Sequence, residues 1–180
     1  TSDLLSAVED GIKLIRSYPY SRWAEWTQVK IITLYSAVLT KSDGKLALLK
    51  VRLRKALQGL PPETLLRISE RAFWRGFYKE SALLASMTLN AKPVLEQKES
   101  ALKTLASSQL FIGDYKSSIK TFEVLLKQSS GTENAVEYLF RLGLLHFRVE
   151  DYARAIFYFE RLLALNFKGN YGLQAHYWAW

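Results

Sequence analysis

Apolar residues recur at intervals of three and four along most of the chain, which is the spacing of amphipathic α-helices. Strict alternation of apolar and polar residues, the pattern of a half-buried strand, is almost absent. Glycine, proline and serine clusters divide the chain into segments of helical length. The sequence therefore predicts an all-α fold, with helices at residues 3–17, 21–41, 45–58, 63–75, 79–90, 94–111, 115–128, 133–148, 152–166 and 172–180.

A repeat is visible in the second half of the sequence. Tyr78, Tyr115 and Tyr152 stand 37 residues apart. Each tyrosine is followed three residues later by a small residue and eleven residues later by a leucine: Ser81, Ser118 and Ala155, then Leu89, Leu126 and Leu163. A fixed period of this length indicates one helical hairpin in three copies.

The composition indicates a folded chain without disulfides or thiolate metal sites. The 180 residues are 49% hydrophobic and 13% aromatic, which excludes a disordered chain. The sequence has no cysteine, which excludes disulfides and thiolate metal sites. Charged residues interrupt every apolar stretch before the roughly 18 residues that a spanning helix needs, so no membrane span is expected.

The chain is basic, with 25 Lys and Arg against 17 Asp and Glu, and 14 of the basic residues lie in residues 1–90. The segment 41–55 is the densest basic stretch, and leucines at 46, 49, 53 and 57 form an apolar stripe along its helix. We interpret its charges as a solvated face; the alternatives are an anionic wall polymer, a membrane surface or nucleic acid. Because no aromatic residue is interleaved with these charges, nucleic acid is not predicted as a partner.

The third hairpin resembles the tetratricopeptide repeat family at Leu142-Gly143, Asp151-Tyr152, Ala155-Ile156, Phe159 and Leu162. The middle copy retains equivalents of these residues, and the first copy has Ala85 where the family has a large aromatic residue. The resemblance implies an α-solenoid of antiparallel helix pairs, a tetratricopeptide-like superhelix. It predicts irregular helices over 1–61, three repeats of about 37 residues over 62–167, and the start of a truncated repeat helix over 168–180.

A narrower resemblance covers about residues 133–180. The runs Phe157–Leu163 and Gln174–Trp180 resemble the helical superhelix that precedes the catalytic domain of soluble lytic murein transglycosylases. That resemblance implies a non-catalytic scaffold of a bacterial, periplasmic enzyme that cleaves peptidoglycan, with a downstream catalytic domain as partner. The alternative is a free-standing tetratricopeptide-repeat adaptor that binds a peptide or partner protein.

Catalytic chemistry is not expected in this segment. Glu80-Ser81 and Glu99-Ser100 are the dipeptides comparable to a transglycosylase acid, and we interpret both as solvated helix-surface residues. His146 and His176 are the two histidines, and they lack metal-ligand spacing; His146 is interpreted as a hydrogen-bonded packing residue. No glycine-rich phosphate loop is present. The sequence predicts no catalytic residue, no cofactor and no metal.

Binding residues are carried over from the tetratricopeptide family, whose first helices line a concave groove. The predicted groove residues are Leu66, Glu70, Phe73 and Trp74, then Lys103, Ser107 and Phe111, then Phe140, Leu144 and Arg148. Ser107 stands where chaperone-tail binders of the family have Asn, which argues against their carboxylate clamp. The tryptophans are interpreted mainly as core and interface residues, and at least one of the consecutive aromatics Phe157, Tyr158 and Phe159 must face away from the hairpin partner.

Overall fold

A computed structural model of the chain describes residues 2–40, 44–129 and 133–165, with side chains over 6–37, 51–129 and 134–165. In these ranges the regular structure is entirely helical, which confirms the all-α prediction. The helix bounds are α1 Ser2–Ser17, α2 Arg22–Thr40, α3 Gly44–Gln58, α4 Pro62–Trp74, α5 Tyr78–Asn90, α6 Leu95–Ile112, α7 Tyr115–Gln128, α8 Glu133–Arg148 and α9 Tyr152–Ala164. Each predicted helix up to residue 166 is found within two residues of its predicted ends, and the predicted helix 172–180 lies outside the described residues.

The chain divides into two compact units, Thr1–Ser108 (unit 1) and Gln109–Trp180 (unit 2), and the boundary falls within α6. Unit 1 has a continuous core to which α1 to α5 all contribute. Its most deeply buried side chains are Ile15, Ile32, Tyr35, Leu53, Leu57, Leu65, Ile68 and Leu84. The predicted domain boundaries at 61 and 167 stay predictions.

Within each unit, helices that are neighbours in sequence pack as pairs. In unit 1, α4 packs on α5 across a turn of three residues, and in unit 2, α8 packs on α7 and on α9. A turn this short makes the two helices of a hairpin antiparallel. This packing is the pattern of a tetratricopeptide-like α-solenoid.

The 37-residue period is also a period of the backbone. Gly76, Gly113 and Glu150 all adopt positive φ angles, of 80°, 88° and 63°. The next residue in each case donates its backbone N–H to the carbonyl oxygen five residues earlier, at 2.9 Å in all three turns. A left-handed residue followed by this hydrogen bond is the Schellman end of a helix. Each first helix of the three hairpins therefore ends in the same way.

Small residues allow the helices of a hairpin to approach closely. Ser81, Ser118 and Ala155, the small residues three after each tyrosine, are all buried. In unit 2, a Cβ added to Gly143 would overlap the ring of Phe159, so glycine is the residue that leaves room for this ring.

Unit 1 also joins three helices through buried hydroxyls. The Ser108 Oγ donates to the Ser81 Oγ at 2.9 Å, and the Ser81 Oγ donates to the Ser69 carbonyl oxygen at 2.9 Å. Because these hydroxyls are bonded, their burial carries little desolvation cost.

Candidate functional site

Unit 2 contains an open groove of about 530 Å³ between the end of α6, the start of α7 and one face of α8. Three of the predicted binding residues, Phe111, Leu144 and Arg148, lie on this groove. The full lining is Leu110, Phe111, Ile112, Gly113, Tyr115, Arg141, Leu144, Leu145 and Arg148. We call it the unit 2 groove.

The helix ends position two sides of the unit 2 groove. The left-handed turn at Gly113 ends α6, and Asp114 then caps α7 by accepting a hydrogen bond from the Ser117 backbone N–H at 3.2 Å. This turn places the exposed Phe111 and the half-buried Tyr115 on the groove. The α8 residues follow at intervals of three and four, so they share one helical face.

The unit 2 groove is apolar and positively charged. The Arg148 guanidinium lies 5.7 Å from the centre of the Tyr115 ring, and its Nη1 donates to the Tyr115 hydroxyl oxygen at 3.2 Å. Arg141 Nη2 lies 3.6 Å from the Glu137 carboxylate, which is within ion-pair range but too long for a hydrogen bond. No carboxylate is among the lining residues, all of which are in the described part of unit 2. The groove therefore favours a ligand that combines an apolar side chain with a negative charge.

Two of the predicted binding residues are interior residues. Phe140 is only 6% exposed, and its ring centre lies 6.1 Å from that of Phe159. Leu66 is buried in α4. Both therefore support the helices that carry surface residues and have little area with which to contact a partner.

The remaining predicted binding residues lie in unit 1 with different degrees of exposure. Trp74 is 83% exposed, and its ring centre lies 5.5 Å from that of the half-buried Phe73. Burial raises the pKa of the Glu70 carboxyl, which disfavours its charged form. Lys103 is exposed and Ser107 is half-buried on α6. Partner binding by these residues stays a prediction.

Two interpretations from the sequence are corrected: that the tryptophans belong to the core, whereas their interface role stays a prediction, and that Glu80 is solvated. Trp23, Trp26 and Trp74 are strongly exposed and do not belong to the core, while Trp178 and Trp180 lie outside the described residues. Glu80 is buried, not solvated. It lies one helical turn before Leu84 and thus on the buried face of α5. Because glutamate is charged, the sequence predicts an exposed residue at this position.

Other interpretations are confirmed. The buried His146 stacks on Tyr158 with ring centres 5.3 Å apart, which confirms its packing role. The expected hydrogen bond is not found: neither ring nitrogen has hydrogen-bond geometry to a described residue, although Nδ1 lies 3.3 Å from the Asp151 carboxylate. Phe157 faces outward, whereas Tyr158 and Phe159 are buried. In the described half of the basic helix α3, Leu53 and Leu57 are buried and the charged side chains at 52, 54 and 55 are exposed.

A comparison with known protein families bears on the last hairpin. The tetratricopeptide repeat family matches residues 136–168. This region is similar to a tetratricopeptide repeat. Repeats of this family generally mediate protein or peptide binding and are generally non-catalytic. No curated protein matches the chain.

Over 2–40, 44–129 and 133–165, no group of three acidic or histidine residues could hold a metal ion. No helix in these ranges is long and apolar enough to cross a membrane.

The sequence reasoning missed Tyr115 and Arg141 as groove residues. Tyr115 marks the repeat in the sequence, and its role beside Arg148 depends on a contact between α7 and α8. Arg141 precedes Arg148 by seven residues, or two helical turns, with Leu144 and Leu145 between them. That spacing was the available signal for a cationic and apolar face.

Proposed function

We propose that the chain is a non-catalytic protein-interaction scaffold whose unit 2 groove holds a segment of a partner protein. The observation that supports this proposal is that Phe111, Leu144 and Arg148 line one open groove. They lie on α6 and α8, the first helices of two successive hairpins. The tetratricopeptide match over residues 136–168 supports the same class of function.

The chemistry of the groove defines the segment. An apolar side chain of the partner packs against Phe111 and Leu144, and a carboxylate pairs with Arg148 and Arg141. The groove volume of about 530 Å³ suits a few side chains of an extended segment. Tyr115 already holds Arg148 in place, so little side-chain entropy is lost when the carboxylate binds.

The sequence runs in residues 133–180 support a specific form of this scaffold, the helical superhelix of a periplasmic lytic transglycosylase. In that form the partner is a downstream catalytic domain of the same protein. The test is the coding sequence beyond Trp180: a lysozyme-like segment with Glu-Ser and Gly-Leu-Met-Gln supports the transglycosylase scaffold, and a stop codon or further repeats supports the free-standing adaptor. In either form, we expect the chain itself to release no soluble muropeptides from purified murein sacculi. Release by the wild type that disappears in the Glu80→Gln or Glu99→Gln variant would contradict its non-catalytic role.

Photo-crosslinking tests the proposed groove directly. A photo-reactive benzoylphenylalanine at position 111 lies on the groove, and the same residue at the exposed position Lys120 of α7 is the matched control. We expect a discrete protein adduct from position 111, mapped to one acidic and apolar segment of the partner, and no such adduct from position 120. The same adducts from both positions, or none from position 111, would count against the proposal.

A further inference from the structure

Unit 1 contains a second groove, of about 580 Å³, between α2 and α4. Its lining residues are Arg22, Glu25, Trp26, Val29, Lys30, Arg71 and Arg75. We call it the Trp26 groove. It shares no residue with the unit 2 groove.

One ion pair holds the two sides of the Trp26 groove together. Arg71 on α4 donates to the Glu25 backbone carbonyl and to the Glu25 Oε1, both at 3.1 Å. Glu25 is the only acidic residue among the described residues that line this groove. The one carboxylate of the groove is thus already occupied by a structural contact.

The other cations of the Trp26 groove have no carboxylate of their own. Arg22, Lys30 and Arg75 are exposed, and among the described side chains none of them forms an ion pair. Lys30 Nζ lies 5.1 Å from the centre of the Trp26 ring, which is 59% exposed. The groove therefore places three positive charges around an exposed indole.

We propose that the Trp26 groove docks an acidic segment of a partner protein, with an aromatic or apolar side chain against Trp26 and carboxylates on Arg22, Lys30 and Arg75. The planar guanidinium of arginine matches the two oxygens of a carboxylate, and tryptophan and arginine dominate the binding energy of protein interfaces. The charges of such a segment complement those of the groove.

The shape of the groove favours a protein segment over the other anionic partners. Single-stranded nucleic acid is held by successive aromatic platforms along a basic track, whereas Trp26 is the one aromatic residue among the described residues of this lining. A lipid surface is contacted by a protruding apolar face, whereas Trp26 lines a concavity that is rich in charge.

Binding of a labelled copolymer tests this proposal on the full chain. The probe is a fluorescein-labelled random copolymer of glutamate and tyrosine, and its anisotropy reports binding. We expect the double variant Arg22→Glu with Arg75→Glu to weaken binding at least about tenfold and Trp26→Ala to weaken it about tenfold. These residues are exposed, so thermal melts of the variants should match the wild type.

The matched control is the double variant Lys116→Glu with Lys120→Glu, which makes the same change in net charge on exposed positions of α7 in unit 2. We expect it to weaken binding by less than about threefold because neither lysine lines the Trp26 groove. Equal losses in the two double variants would show a generic effect of net charge and overturn the proposal. Tighter, Trp26-dependent binding of oligo-thymidylate or of phosphatidylserine vesicles would also overturn it. Since Phe111→Ala leaves this groove intact, failure here is separate from failure of the unit 2 groove.

Discussion

The α4–α5 hairpin of unit 1 and the α8–α9 hairpin of unit 2 have the same backbone turn and different interiors. Their first helices end in a left-handed residue, Gly76 or Glu150, with the same 2.9 Å hydrogen bond across the turn. At equivalent positions, α8–α9 pairs Gly143 with the fully buried ring of Phe159. The α4–α5 hairpin instead has Ser69 and Ala85, both fully buried.

This difference shows what the repeat preserves. The backbone geometry recurs every 37 residues, while the volume inside a hairpin is divided differently between its two helices. In the α8–α9 hairpin, the Phe159 ring leaves no room for a Cβ at position 143, whereas the α4–α5 hairpin has the small residues Ser69 and Ala85 at these two positions.

The largest effect is expected from Phe159→Ala. The ring is fully buried against Phe140 and Gly143, so its removal should lower the free energy of unfolding by about 3–5 kcal/mol. Urea denaturation measures the loss. Phe157→Ala, an exposed neighbour in the same helix, and Lys116→Ala are the controls, and each should change stability by about 0.5 kcal/mol or less. Equal, small changes in all three variants would refute the assigned helical phase.

Gly143→Ala tests the pairing itself. The added methyl group overlaps the Phe159 ring, and this strain exceeds the roughly 1 kcal/mol of helix propensity that alanine gains over glycine. We expect a net loss of about 1 kcal/mol in chemical denaturation. Combining it with Phe159→Leu makes room for the methyl group, so the double variant should lose less than the sum of the single losses. Strict additivity would mean that the two positions do not share one space.

A smaller effect is expected at the helix start, where the hairpins also differ. Asp151 caps α9 by accepting from the Arg154 backbone N–H at 3.3 Å, whereas Phe77 gives α5 no side-chain cap. Asp151→Ala should cost about 1 kcal/mol of stability, and Asp151→Asn should keep most of it because asparagine also caps. Thermal melts measure both losses. If the two variants lose equal stability, the effect comes from the charge of Asp151 and not from its capping oxygen.

The smallest effect is a gain. Glu150 is a non-glycine residue at φ 63°, and glycine removes the cost of that conformation at some expense in unfolded-state entropy. We expect Glu150→Gly to stabilise the chain by about 0.5–1 kcal/mol in the same denaturation assay. Gly113→Ala is the mirror experiment: a Cβ there meets no neighbouring atom, so a loss of about 1 kcal/mol would come from the backbone alone. A loss of stability in Glu150→Gly and a gain in Gly113→Ala would contradict the left-handed conformation that the two turns share.

The sequence predicted the helices well because local periodicity and turn residues determine them. It did not predict the burial of Glu80 and Ser81, which it interpreted as solvated residues. It did not predict the Trp26 groove, because a helical pattern does not reveal which neighbouring helix covers which face. The contact of Arg71 with Glu25, 46 residues away, is such a tertiary relation.

The binding residues could be predicted in part. Phe111, Leu144 and Arg148 were placed by family register, and they do lie on one groove. Phe140 has the same register but is buried, because its ring packs against Phe159. Register therefore identifies the helical face, and the packing of the second helix decides which of its residues remain accessible.

The most direct test of the account is a calorimetric titration of the full chain and its Phe111→Ala variant with the partner segment captured at position 111. The exposed Phe111 lies on the groove, so we expect its removal to weaken binding by about 1–3 kcal/mol, or roughly 5- to 150-fold in Kd. The melting temperature of the variant should stay close to that of the wild type, because the side chain is exposed. Unchanged affinity in a folded Phe111→Ala variant would contradict the assignment of the unit 2 groove as the binding site.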